Sequence, residues 1–314
     1  MAGYEPVNPA RTTRADPVER AVVSAKSDPS HQVTPAHHAS GVGRREVGAD
    51  ETARANRSWW DAGADAYQAE HADFLGGPDQ ARFIWGPEGL DEAEAQLLAP
   101  TAELAGLRVL EVGCGAAQCG RWLASQGADV VGVDISASQL GYARRHPIAA
   151  QPEAHAAAGR IDFLLTDARA IPLAASSVDL ACSAFGALPF VVDTGAVLRE
   201  VHRVLRPGGR FAFSVSHPMR WAFPDDPGPA GLTIASSYFD RTPYVETADD
   251  GHPTYVEHHH TFGDWVADIS AAGFTMTDVV EPEWPAGHTQ SWGAWSPLRG
   301  ALMPGTAIFV CDKR

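Results

Sequence analysis

"VLEVGCGAAQCG", residues 109–120, decides how this chain is to be read. It opens as an apolar strand, turns on Gly113 and Gly115, and runs on towards a helix. A glycine turn at such a junction lets backbone amides and a helix N-terminus approach a nucleotide-like molecule closely. The stretch alone leaves three occupants open: a nicotinamide dinucleotide, a metal or redox centre at its cysteines, or another nucleotide-like cofactor.

The neighbouring residues separate these. The dinucleotide fingerprint requires Gly-x-Gly-x-x-Gly. Gly113 and Gly115 match its first two positions, but position 118 is Gln and the next glycine, Gly120, comes two residues late. Glu111, two residues before Gly113, opposes a pyrophosphate and suits a cationic amino-acid group. Cys114 and Cys119 are not in C-x-x-C spacing and have no second cysteine pair, which argues against zinc.

Working outward, a strand–helix alternation appears. "RVLEVG", "DVVGVDI", "IDFLLTD", "VDLACSAF" and "RFAFSVSH" read as five buried strands. "QCGRWLASQG", "SASQLGYARRH" and "GAVLREVHRVLRPGG" read as helices between them, the second opened by the N-cap candidate Ser136. Near-continuous apolar strands alternating with helices predict a doubly wound parallel sheet, an α/β fold. "TFGDWVADISAAGF" returns to helix, and "DVVEPEW" and "TAIFVCD" read as late strands. Residues 218–257 lose periodicity and fill with Pro, Gly and Asp, as a lid-like insertion would.

In such sheets ligands bind beyond the carboxyl ends of the strands. Asp134 ends the second strand, 19 residues after Gly115, where an acidic side chain accepts bonds from ribose hydroxyls. Asp167 ends the third, near where an adenine would lie. Three acidic strand ends around a glycine turn suit an adenosine with a positively charged tail and no phosphates.

The remainder of the chain bounds the reading. Of 314 residues, 45% are hydrophobic and 20% charged, the composition of a soluble globular protein. The net charge is −15. Residues 1–57 hold 8 basic and 7 acidic side chains, which leaves 16 basic against 32 acidic in the rest. Such a surface repels a phosphate backbone, so a nucleic-acid partner is not expected. No apolar stretch is long enough for a membrane span, and residues 1–20 lack a signal-peptide core, so a cytoplasmic protein is expected. Residues 1–50 show neither period nor apolar mass and are expected to be a disordered tail, His31, His37 and His38 included. Residues 51–105 read as an N-terminal helical cap, and 106–314 as the main domain.

Residues 108–215 resemble the class I S-adenosylmethionine-dependent methyltransferases. "VLEVGCG", "VVGVDIS", "TDARAIPLAASSVDLACS" and "EVHRVLRPGGRFAFSV" carry the resemblance, four motifs in register. It implies a Rossmann-like, seven-stranded, mostly parallel sheet whose last strand, for which "TAIFVCD" is the candidate, runs antiparallel. It implies S-adenosylmethionine as cofactor and S-adenosylhomocysteine as product. Glu111, Gly113 and Gly115 would surround the methionine part, with Cys114 in the small-residue slot between the glycines. Asp134 would hold the ribose and Ile135 flank the adenine. Asp167 and Ala168 would meet the adenine amine and ring, and Ser183 and Phe185 would line the pocket. The cap would cover the cofactor, with Tyr67 and Trp85 as lid candidates. One departure is Ala117, where the motif frequently has a third glycine; a small residue is kept.

The expected reaction is methyl transfer to a small-molecule acceptor. His217, directly after the fifth strand, is the candidate base, with one of His258 to His260 as the alternative; three adjacent histidines point in different directions and suit no shared metal ion. Trp284, Trp292 and Trp295 suggest an aromatic acceptor pocket. "SAFGALPF" after the fourth strand lacks the Asn- or Asp-Pro-Pro-aromatic motif of base-amine methyltransferases. Two rival readings are a nicotinamide-dependent oxidoreductase, opposed by Glu111 and Gln118, and a non-catalytic protein that only binds the cofactor.

Overall fold

The computed structural model describes residues 41–75, 81–146 and 159–314. The expected disordered tail therefore lies mostly outside the described residues, together with His31, His37 and His38. Its end does not conform: β1, Gly41–Arg44, pairs with a strand two hundred residues later, and the first helix, α1 (Ala49–Leu75), begins before residue 51.

The cap is α1 followed by a loop and a single helical turn, Glu92–Ala95. The pattern of "LDEAEAQLL" suggests a longer helix. It stops because Gln96 adopts a left-handed conformation and the Glu92 carboxylate turns back to accept from the Leu97 and Leu98 amides.

The doubly wound part then follows in chain order. It comprises β2 (Arg108–Val112), α2 (Gln118–Ser125), β3 (Asp129–Asp134), α3 (Ala137–Arg145), β4 (Ile161–Leu165), β5 (Val178–Ala184), α4 (Thr194–Val204) and β6 (Leu205–Ser216). Next are β7 (Tyr244–Thr247), β8 (Pro253–Glu257), α5 (Phe262–Ala271), β9 (Phe274–Val280) and β10 (Thr306–Lys313). Ser136 caps α3 by accepting from the Gln139 amide, as its residue type predicts. β9 starts four residues earlier than "DVVEPEW", because Gly273 ends the preceding turn at φ +94° and the chain enters the sheet at once.

Seven strands form one sheet in the order β4-β3-β2-β5-β6-β10-β9. The first five are parallel, and β10 runs antiparallel to both β6 and β9. Each face carries an apolar core: α4 and α5 cover one, and α2 with the Phe83–Leu104 segment covers the other. The 218–257 insertion is not irregular throughout. Its β7–β8 ribbon joins β1 in a separate three-stranded antiparallel sheet. Val245 and Val256 pack with Val47 and Ala55 on one face of that sheet, beneath the start of α1. Among the described residues no helix is long and apolar enough to cross a membrane.

Candidate active site

The parallel strand ends open into a cavity of about 690 Å³. At the end of β2, Gly113 has φ +69°, and a Cβ there would collide with the backbone of Gly186 and Ala187. Only glycine lets the β2 turn meet the turn after β5. Gly115 follows at φ +51°, and its amide donates to Asp134 Oδ2 at 2.8 Å. Ala117 is also left-handed, at φ +58°, as the residue before α2. That conformation costs an L-residue about 1–2 kcal/mol, which explains why glycine is frequent here; the small methyl group is buried.

Glu111 is buried in the cavity wall, and its Oε2 has no hydrogen-bond partner. Burial pushes its carboxyl up to about 8; the Arg121 guanidinium and the Gly120 amide pull the other way, and Asp134 adds to the rise. Asp134 accepts from the amides of Gly115 and Ser136, one on each oxygen, at 2.8 Å. Burial raises its pKa against those two donors. A carboxylate oxygen can accept more than one hydrogen bond, and Asp134 lines the cavity. At the end of β4, burial would raise the Asp167 carboxyl, but a side-on pairing with Arg169, 2.6 Å at its shortest, holds it below the usual range.

This end of the cavity fits S-adenosylmethionine. A buried carboxyl with one unpartnered oxygen and a raised pKa gains a partner and ionises when an ammonium group arrives. Asp134 offers a diol two acceptors at fixed positions, with Ile135 and Ala168 as apolar walls beside it. Of the expected cofactor residues, the structure brings together Tyr67, Glu111, Gly113, Cys114, Gly115, Asp134, Ile135, Asp167, Ala168 and Phe185 around the one cavity.

Other expectations are corrected. Trp85 is fully buried in the core on the far face of the sheet, against Phe83, with its Nε1 donating to Glu92 at 2.8 Å. Ser183 lies beneath the glycine turns rather than in the cavity wall, and donates to the Val112 carbonyl. His217 turns away: its Nδ1 accepts from the Met219 amide, capping a short 3-10 turn, and its Nε2 meets Glu281 at 2.8 Å. Both ring nitrogens are thereby committed, and burial lowers its pKa. His258, His259 and His260 face three different partners, Thr52, the Tyr238 carbonyl and Thr194, and none lines the cavity. Trp284 also lies outside it, whereas Trp292 and Trp295 line it.

Several lining residues carried no sequence signal. Gln118 donates to Gln68, and Gln68 donates to Gln139 at 3.3 Å, so amides from α2, α1 and α3 form one chain along the wall. Asn56 ties α1 to β8 by bonding both the amide and the carbonyl of Val256, and reaches the Phe190 carbonyl as well. Beyond this seam the cavity becomes an aromatic chamber. Trp59, Trp60, Phe190 and Tyr255 line it as one ring cluster, and Trp221 and Trp295 line it as well. The insertion supplies its charged groups, including Arg220, Glu246 and Glu257. Only a helical period in α1 hinted that Trp59 and Trp60 belong to one structural unit.

A family described as "Methyltransferase domain" matches residues 110–213. Methyltransferase GfsG of Streptomyces halstedii is 39% identical over 111 residues, covering 35% of this chain and 38% of that protein. A malonyl-[acyl-carrier protein] O-methyltransferase of Yersinia pestis is 37% identical over 109 residues, covering 35% and 36%. The matched segment thus spans less than half the length of these curated relatives. The crystal structure of an S-adenosylmethionine-dependent methyltransferase from Mesorhizobium loti superposes with a TM-score of 0.55 at 29% identity, covering 73% of this chain and all of that one.

Proposed function

We propose that this chain is a class I S-adenosylmethionine-dependent methyltransferase and that it methylates a small molecule held in the aromatic chamber. The observation that carries the proposal is the continuity of the cavity. An acidic, glycine-turned end suited to the cofactor opens without a break into an aromatic chamber, the two together forming one cavity of about 690 Å³.

Bound S-adenosylmethionine supplies a methyl group already activated by positive sulfur, open to in-line displacement by the acceptor. The residues of the chain then have to bind, align and exclude water. Glu111 holds the methionine part of the cofactor and Asp134 its ribose, and Phe185, left-handed at φ +48°, stands between the cofactor end and Trp295 in the chamber. Helix α1 and the β7–β8 ribbon roof the chamber and limit water. Among the described residues no histidine lines the cavity, which favours an acceptor that is nucleophilic without a histidine base. The acidic surface supports a small-molecule acceptor over a nucleic acid.

The test is calorimetric titration with S-adenosylhomocysteine and, separately, with NADH. Binding of the first at micromolar concentration supports the proposal. Absence of that binding, or tight binding of NADH instead, overturns it.

A further inference from the structure

The β7–β8 ribbon places four polar side chains in an ordered array on the chamber wall. In its antiparallel register Tyr244 lies opposite Glu257, and Glu246 lies opposite Tyr255. Side chains two apart on a strand share a face, so all four project to one side, and all four line the cavity. Val245 and Val256 project to the other side, into the apolar cluster under α1. The burial of those valines fixes the register, since a slip of one residue would exchange the two faces.

Within the array each phenol donates to a carboxylate on its own strand, Tyr244 to Glu246 at 3.1 Å and Tyr255 to Glu257 at 3.2 Å. Glu257 is only 9% exposed. Burial first, and the charge of Asp225 as well, raises the pKa of both glutamates. Arg220 lies 3.9 Å from Glu257 and offsets part of its charge, but the same guanidinium is shared with other groups. Its Nη2 meets Asp225 at 3.2 Å, and its plane lies over the rings of Trp221 and Trp295. Arg44, the other arginine of this end, lies over Trp221 and 3.9 Å from Asp240.

A second feature adjoins the array. Trp59, Trp60, Phe190 and Tyr255 form a continuous aromatic cluster, with neighbouring ring centres 4.6–5.8 Å apart. Among the described residues no arginine lies over any of these four rings. A set of aromatic faces bordered by carboxylates, in a chamber shielded from bulk water, complements a cation. Tyr255 belongs to both features and joins them.

We infer that the acceptor is a protonated amine with an aromatic or apolar body, its nitrogen recognised by Glu246 and Glu257 and by the adjoining aromatic faces. The ammonium is a recognition handle in this inference; having no lone pair, it is not the atom that receives the methyl group. The inference rests on the methyltransferase reading for the identity of the chamber as the acceptor site, and its test is separable from that reading.

The experiment is calorimetric titration of the intact chain, with and without S-adenosylhomocysteine, using matched probes. Tryptamine and 2-phenylethylamine are set against their carboxylate analogues, indole-3-acetate and phenylacetate, and their neutral analogues, tryptophol and 2-phenylethanol. The amines are expected to bind at least about tenfold tighter than either analogue, the least that one charge-assisted hydrogen bond supplies. Glu257→Gln and Glu246→Gln should each remove that preference while leaving S-adenosylhomocysteine affinity intact. The wild-type comparison needs no variant, so it stands even if a variant folds poorly. Equal affinity across the three classes, preference for the carboxylates, or no binding of either amine overturns the inference. Failure of S-adenosylhomocysteine to bind overturns the methyltransferase reading alone, because the amine preference is measured without it.

Discussion

Glu111 and Gly120 are matched to each other across the β2–α2 turn: a Cβ on Gly120 would stand 2.5 Å from Glu111 Oε2. The carboxylate that faces the cofactor end therefore occupies space left by an absent side chain in the following helix. Gly120→Ala should displace the Glu111 carboxyl. A gain in helix propensity of about 1 kcal/mol offsets part of the strain. We expect thermal stability to change little while S-adenosylhomocysteine affinity falls about tenfold, read by a melting curve and a titration on the same preparation. Unchanged affinity would remove Glu111 from the binding site.

The pH dependence of the ligand-free protein follows from the same carboxyl. In the folded chain Glu111 keeps its proton up to about 8, whereas in the unfolded chain it loses it near its ordinary value of 4.5. Between those limits the folded state binds more protons, so this group's contribution to stability falls as pH rises from 4.5 to about 8 and is level above. At about 1.4 kcal/mol for each pH unit crossed, the fall is at most a few kcal/mol. Glu111→Gln, which cannot ionise, should flatten the slope. Urea unfolding of both proteins from about pH 5 to about pH 8.5 spans the window in which only the folded state holds the proton. Parallel slopes would contradict the expectation.

Asp134 combines two tasks, holding the Gly115 and Ser136 amides and facing the cavity. Asp134→Ala leaves both amides without their acceptor and costs about 1–3 kcal/mol per unsatisfied group if water does not replace it. Affinity for S-adenosylhomocysteine should drop by at least about tenfold. Asp134→Asn retains one acceptor oxygen and should fall between the two. If Ala binds as well as the natural residue, the ribose assignment is wrong.

Trp85 and His217 should behave as structural residues. Trp85→Phe strands the Glu92 carboxylate without one of its three donors and should lower stability by about 1–3 kcal/mol. His217→Ala removes the turn cap and the contact to Glu281, costing about 1 kcal/mol. Neither should alter S-adenosylhomocysteine affinity, and a clear loss of affinity in either titration would return that residue to the site.

The convergence of the expected cofactor residues on one cavity was readable from sequence because they sit at strand ends. In a parallel sheet every carboxyl end opens on the same edge, so Glu111, Asp134 and Asp167 converge once the strands are identified. Ser183 shows where that logic weakens. It is at a strand end too, but it bonds the Val112 carbonyl, beneath turns that the strand pattern does not describe. His217 and Trp85 failed for a related reason. One residue beyond a strand, or within a loop, orientation depends on turn geometry and on partners elsewhere in the fold, here Glu281 and Glu92.

The sequence by itself determined the doubly wound sheet and the acidic, glycine-turned end of the cavity, because those features follow from residue periodicity and short-range spacing. The four motifs in register added the antiparallel last strand, which lies between β6 and β9. Tertiary structure alone decided the acceptor chamber. Its walls come from α1, the β7–β8 ribbon and the loop of Trp292 and Trp295, segments far apart along the chain. The faces they present are set by long-range pairings, such as Asn56 with Val256 and Val245 in the cluster under α1, that no local pattern encodes.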